Sequence, residues 1–221
     1  MSFLVETNIC CDEKVEPIVL QAFSEGQKLV VGYVDAKQPN LFSIQSLLFK
    51  EDHDNNEIGN KTISFINPSS DNARITHVSS VSVSNLETLI FSYNSHRVSA
   101  YEWKSQKESW SLDLEYLVAQ VFPNVAASQL LCTQSNNMLS LIDIASKTQL
   151  QTFQSDIRLH SNHFCAWNRF STTMFASMFS NSQIGLYSTS INYSKPMCYF
   201  NFHQQTKLNS LSWSRKNQNE V

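Results

Sequence analysis

A chain of 221 residues with 42% hydrophobic, 11% aromatic and only 16% charged residues has the apolar content to bury a core and lacks the high-charge, low-hydrophobicity signature of disorder. Its net charge of −3 lacks the basic excess that neutralising a phosphate backbone requires, which argues against nucleic acid as a partner. No stretch approaches the roughly 20 consecutive apolar residues of a spanning helix, and Met1-Ser-Phe-Leu-Val-Glu6 has no basic n-region, so the sequence reads as soluble and intracellular, cytoplasmic or nuclear.

In chain order, residues 1–27 show no clear alternation and read as an irregular N-terminal segment, leaving open a strand within 1–20 that closes the sheet array elsewhere. Cys10 and Cys11 fall here. Together with Cys132, Cys165 and Cys198 they make an odd number of cysteines, which suits a reducing compartment and buried free thiols better than a disulfide framework. Lys28–Tyr33 and Leu41–Ile44 read as a hairpin and Thr62–Ile66 as a further strand. Between them, residues 51–60 form a polar insertion expected to be an exposed loop. Asp52-x-Asp54-x-Asn56 within it starts like a calcium loop, but Glu57 stands where the turn glycine belongs and Ile63 where the bidentate glutamate belongs, so no cation site is expected.

From residue 75 onward the chain repeats. Strand-like runs at Val98–Glu102, Leu139–Asp143 and Ile184–Ser188 each follow a small polar turn, Asn94-Ser-His96, Ser135-Asn-Asn137 or Asn181-Ser-Gln183. Asparagine tolerates the left-handed conformation such turns need, and only four glycines are present. Before each turn lies another β-prone run, at Leu89–Tyr93, Leu130–Thr133 or Met174–Phe179, so each pair reads as a hairpin. A first strand precedes each hairpin (Ile75–Val83, Leu117–Phe122, His163–Trp167) and a fourth follows it (Trp110–Leu114, Gln149–Phe153, Met197–Phe202). The equivalent residues Tyr101, Ile142 and Tyr187 are 41 and 45 positions apart, His160 and His203 are 43 apart, and Trp167 and Trp213 are 46 apart.

Four short strands per cycle of about 40–45 residues is the period of a propeller blade. The expected fold is therefore all-β, a single partial β-propeller domain over 1–221 with about four antiparallel four-stranded blades. The best-defined blades are 75–115, 117–154 and 160–202, and a further blade begins at 207–221.

These residues resemble the WD-repeat family, whose blades run from a His-bearing loop through a Ser-Trp-like strand and a hairpin to a Trp-Asp dipeptide. His160 and His203 match the His, and Leu211-Ser-Trp-Ser214 matches the inner strand. Tyr101-Glu102, Ile142-Asp143 and Tyr187-Ser188 stand at the Trp-Asp position. The resemblance covers roughly residues 75–214, with an extension back to about residue 28. From Phe23 to Trp213 the arrangement is similar to WD-repeat subunits of a methyltransferase complex and to WD-repeat adaptors of vesicle-tethering complexes. The Trp-Asp dipeptide is intact nowhere, so the buried Asp-His-Ser-Trp network of model repeats is incomplete here and packing has to carry more of the stability.

Chemistry finds little support. His160-x-x-His163-x-Cys165 offers ligand-type residues, but a structural zinc site needs a fourth, and the bland reading is a loop histidine and a core cysteine. No phosphate loop or Gly-x-Ser-x-Gly elbow is possible with Gly26, Gly32, Gly59 and Gly185 as the only glycines. Asp113 and Glu115 are expected on the solvated face of one strand. No catalytic, metal or cofactor site is assigned.

The resulting expectation is a non-catalytic scaffold or adaptor that binds other proteins through loops or an open blade edge. A small hydrolase with a site on the propeller's top face, or a truncated non-functional propeller fragment, is the alternative. Trp213, in the last blade begun, is expected to be exposed in the isolated chain, and the open edge to drive self-association.

Overall fold

The computed structural model describes residues 15–22, 28–35, 38–48, 59–66, 75–83, 86–102, 105, 107–154, 165–180, 183–202 and 211–213. His160, His163 and His203, and with them the first two ligand-type residues of the candidate zinc cluster, lie outside these residues, as does most of the polar insertion at 51–60. All regular structure among the described residues is β-strand, and none of it is a helix able to cross a membrane. The strands form four-stranded antiparallel sheets, each a simple meander in which neighbours in sequence are neighbours in space. The chain divides into two compact units, Met1–Asn72 and Ala73–Val221, where the sequence was read as one domain.

The first unit holds sheet 1: β1 (Val15–Ala22), β2 (Lys28–Asp35), β3 (Gln38–Leu48) and β4 (Gly59–Ile66). The strand β1 lies within the segment read as irregular, where a strand within 1–20 was left open. Its signal was masked by Pro17, which cannot donate to a ladder and is tolerated only at an edge or a bulge. Here it is at both: β1 is the edge strand, and its register against β2 shifts between Pro17 and Val19.

The second unit contains three sheets. Sheet 2 comprises β5 (Ile75–Val83), β6 (Leu86–Tyr93), β7 (Arg97–Glu102) and β8 (Glu108–Asp113). Sheet 3 comprises β9 (Val118–Pro123), β10 (Gln129–Gln134), β11 (Met138–Asp143) and β12 (Thr148–Gln154). Sheet 4 comprises β13 (Cys165–Trp167), β14 (Met174–Ser180), β15 (Gln183–Ser188) and β16 (Cys198–Asn201). Glu115 lies beyond the end of β8, so it does not share a strand face with Asp113 as the alternation suggested.

Sheet 3 is covered on both faces, which is why β10 and β11 read as nearly continuous apolar runs rather than alternating ones. Towards sheet 2 it presents Val121, Leu130, Cys132, Ile142 and Ile144, packed with Ile90, Val98 and Ala100. Towards sheet 4 it presents Leu131, Leu139, Leu141 and Phe153, packed with Cys165, Phe175 and Tyr187. The second seam is rich in aromatics. Phe175 and Tyr187 form a parallel offset stack with ring centroids 4.8 Å apart, and Phe153 meets both edge-on at 5.1 and 5.5 Å, arrangements that the ring quadrupole favours.

Turn chemistry fixes the register. Between β10 and β11, the Asn137 amide donates to the Gln134 carbonyl at 3.2 Å, and Asn137 takes φ 64°, the left-handed residue that closes a three-residue hairpin loop. At the β11–β12 turn the same conformation falls on Lys147, φ 58°, a residue without asparagine's local hydrogen bonding to offset the strain. Lys147→Gly is therefore expected to stabilise the second unit by about 0.5–1 kcal/mol, after the greater unfolded-state entropy of glycine is set against the relieved strain. A lower urea midpoint would show that the lysine is held there by something else.

Candidate interaction surface

The pairing places the equivalent positions in one register. Tyr101 pairs with Leu89, Ile142 with Leu130 and Tyr187 with Phe175, and those partners pair with Ser80, Pro123 and Trp167 of the first strands. All three residues are buried, and Ile142 and Tyr187 both face the preceding sheet. The hydroxyl of Tyr187 donates to the Gln154 carbonyl at 2.8 Å, and that of Tyr101 to Glu108 Oε2 at 2.7 Å. Two residues before each, the position holds Ser99, Ser140 or Gly185. At Gly185 a Cβ would stand 2.6 Å from Pro196 Cγ and 3.0 Å from Tyr187 Cε2. Since the proline is buried, Gly185→Ala is expected to cost about 1–3 kcal/mol through overpacking, read as a lowered urea midpoint.

Glu102 and Asp143, the acidic residues next in sequence, point their carboxylates at neighbouring turns. Glu102 Oε2 accepts from Ser105 Oγ at 2.7 Å. Asp143 Oδ1 accepts from the Ser146 amide at 2.6 Å and from its hydroxyl at 2.8 Å, bonds that hold the carboxyl below the usual carboxylate range.

Trp167 and Trp213 also make one repeated contact. Trp167 Nε1 donates to the Phe122 carbonyl and Trp213 Nε1 to the Ala166 carbonyl, each at 2.7 Å. Trp213 is only 7% exposed and packs on Ala176 and Ile184, which overturns the expectation that it is exposed in the isolated chain. The segment 211–213 lies on the free face of sheet 4 as β13 lies on sheet 3, so this tryptophan is buried by the chain itself. A second repeated feature escaped the sequence reading. Asn124 and Asn168, 44 residues apart directly after the first strands, are both buried. Asn124 Oδ1 accepts from the amides of Ser128 and Gln129, and its Nδ2 donates to the Thr172 carbonyl of the next sheet at 3.2 Å. Asn168 Oδ1 accepts from the Phe170 amide at 2.7 Å. The recurrence of Asn after Pro123 and Trp167 was the signal available.

Because each sheet is a meander, the first-to-second and third-to-fourth connections of the second unit gather at one end, and seam bonds such as Asn124 to Thr172 align those ends. This end carries exposed apolar side chains on loops that are tied down. Val125 is 62% exposed and Phe170 53%, each one or two residues from its anchoring asparagine. Ile191 and Tyr193 are also exposed, on the β15–β16 loop, which runs away from this end beside β12: its Ile191 and Tyr193 carbonyls accept from Gln151 Nε2 midway along that strand, and its Ser194 carbonyl accepts from the Gln154 amide at the strand's far end, at 2.8 Å. Lys107, Lys147 and Arg169 are exposed at the same end, beside the carboxylates of Glu102, Glu108 and Asp143, and form no salt bridge among the described residues; the bridge found among those residues joins Arg97 to Glu108. The opposite end carries the exposed Asp113 and Glu115.

Among the described residues no group of three or more His, Cys, Asp or Glu is placed to hold a metal. Burial pushes the Cys165 thiol up to about 12 despite its 3.2 Å hydrogen bond to Ser177 Oγ, and pushes Cys132 up as well. Both are therefore protonated core groups at neutral pH rather than thiolate ligands or nucleophiles. Compared with known proteins, the chain matches no family model and no curated sequence.

Proposed function

We propose that the protein is a non-catalytic intracellular interaction scaffold, its sheets the blades of a divergent WD-type propeller, and that it holds a partner protein at the end of the second unit where Val125 and Phe170 project. The observation that carries this reading is the anchoring of exposed apolar residues. Asn124 fixes its own loop and reaches across the seam to the loop bearing Phe170, so apolar side chains are held in water by a rigid support. Pre-organisation of this kind lowers the ordering cost of binding, and exposed apolar clusters on a folded surface mark interaction sites.

The test is affinity capture from native lysate with the wild-type chain and with a Val125→Asp, Phe170→Asp double variant, whose exposed positions should leave the urea midpoint unchanged. A stoichiometric protein captured by wild type and lost by the folded variant supports the proposal. Equal capture by both, or hydrolytic turnover abolished by His160→Ala with no partner retained, overturns it.

A further inference from the structure

The outer strands of the three sheets in the second unit differ in a way the scaffold reading does not use. The strand β8 carries Glu108 and Asp113, and β12 is polar except for Leu150 and a fully buried Phe153. By contrast β16 is exposed at every position. With its flanks it reads Met197-Cys-Tyr-Phe-Asn-Phe202, has no charge, and shows Met197 at 43%, Tyr199 at 40%, Phe200 at 44% and Phe202 at 41% exposure. It pairs on one side only, with β15. An apolar, uncharged edge strand is the arrangement that folded proteins ordinarily blunt with charge, proline or a cover.

We propose that this edge is a self-association strand, on which β16 of a second copy pairs antiparallel about a two-fold axis to form a dimer. Three observations select a second copy. First, an antiparallel strand paired with itself sets each side chain opposite one from the same short segment. For β8 this would bring carboxylates together, which is destabilising, whereas 197–202 contributes no charge to repel. Second, the chain as a whole is anionic, at −3, so two copies approach at least electrostatic cost along a neutral strand. Third, the area is of the right order. Side chains of this size bury roughly 150–250 Å² when enclosed, so the exposed parts of these four offer about 340 Å² per copy. With the strand backbones and the Cys198 and Asn201 side chains, the total reaches the low end of specific interfaces, near 1,000 Å². An interface of that size predicts a weak, reversible dimer. An isologous pair also closes on itself, so association stops at two.

Sedimentation velocity on the full 221-residue chain across roughly 1–200 μM is expected to show a monomer–dimer equilibrium with a dissociation constant on the order of 10–100 μM. Tyr199→Lys and Phe200→Lys should each abolish the dimer, and mixing Phe200→Lys with Phe200→Glu chains should restore it. Phe170→Lys, at the opposite exposed site, should leave it intact. A readout without substitution accompanies these: maleimide labelling of Cys198, located by peptide mass, should slow several-fold as wild-type concentration rises. A monomer throughout with constant labelling overturns the proposal, as does association that continues beyond the dimer, persists in both folded lysine variants, or is lost in Phe170→Lys.

Discussion

Replacing Ile142 with alanine is expected to lower the stability of the second unit by about 2–5 kcal/mol, the largest effect of any single aliphatic truncation in the seam between sheets 2 and 3. Ile142 is fully buried, and its cluster companions Val98, Ala100, Leu130 and Cys132 are fully buried too. They come from strands of two different sheets, each fixed by its own ladder, so the backbone on neither side can move in to fill the space left by three carbon atoms. A site that cannot collapse falls towards the upper part of the range. Ile142→Val, which removes a single methylene, should cost about 0.5–1.5 kcal/mol. Urea unfolding with an unchanged m-value measures both. A midpoint for Ile142→Ala within error of wild type would mean that the two sheets do not pack through this residue.

The same residue illustrates how far the sequence could be read. The spacing of Tyr101, Ile142 and Tyr187 places them in third strands because period-2 alternation on either side of a turn leaves few registers open, and the turn at Asn137 could be read from residue type. What could not be read is informative in each case. Ala127 and Lys147 adopt φ of 55° and 58°, yet neither residue type signals a left-handed turn, so only the closure of the flanking strands imposes it. Pro17 hid β1, because a proline in a short run argues against a strand until its edge position and bulge are known. Asn124 and Asn168 look like loop polar residues, and their burial follows from a contact across sheets that no local pattern encodes. Trp213 was expected to be exposed because strand counting treated 208–213 as the start of an uncovered blade, whereas its indole had the Ala166 carbonyl and the apolar face of sheet 4 to bind. The loop surface bearing Val125 and Phe170 was invisible for a further reason. Exposure of a valine or phenylalanine depends on where a loop is anchored, and the anchors lie 48 residues apart in the case of Asn124 and Thr172.

Acidification is expected to destabilise the second unit through His77 well before its carboxylates titrate. This histidine sits on β5 where sheet 2 meets sheet 3, with its ring against Phe122 at a centroid distance of 5.5 Å. Its Nδ1 accepts a hydrogen bond from the Val121 amide at 3.4 Å, an acceptor role open only to the neutral ring. Burial disfavours the imidazolium and pushes the pKa down from 6.5 to about 4. The folded form therefore binds its proton less tightly than the unfolded form. The stability that follows is complete above pH 6.5, declines as the unfolded state takes up the proton, and is fully lost only below about pH 4. The gap amounts to about 3 kcal/mol in all, of which about 1.4 kcal/mol is lost by pH 5.5. His77→Gln keeps an acceptor for the Val121 amide and removes the titration, so its urea-derived stability should fall by correspondingly less between pH 7.5 and 5.5. Parallel pH profiles for the wild type and this variant would show that His77 is already solvated in the folded state, and that the seam between sheets 2 and 3 is more open at β5 than its packing indicates.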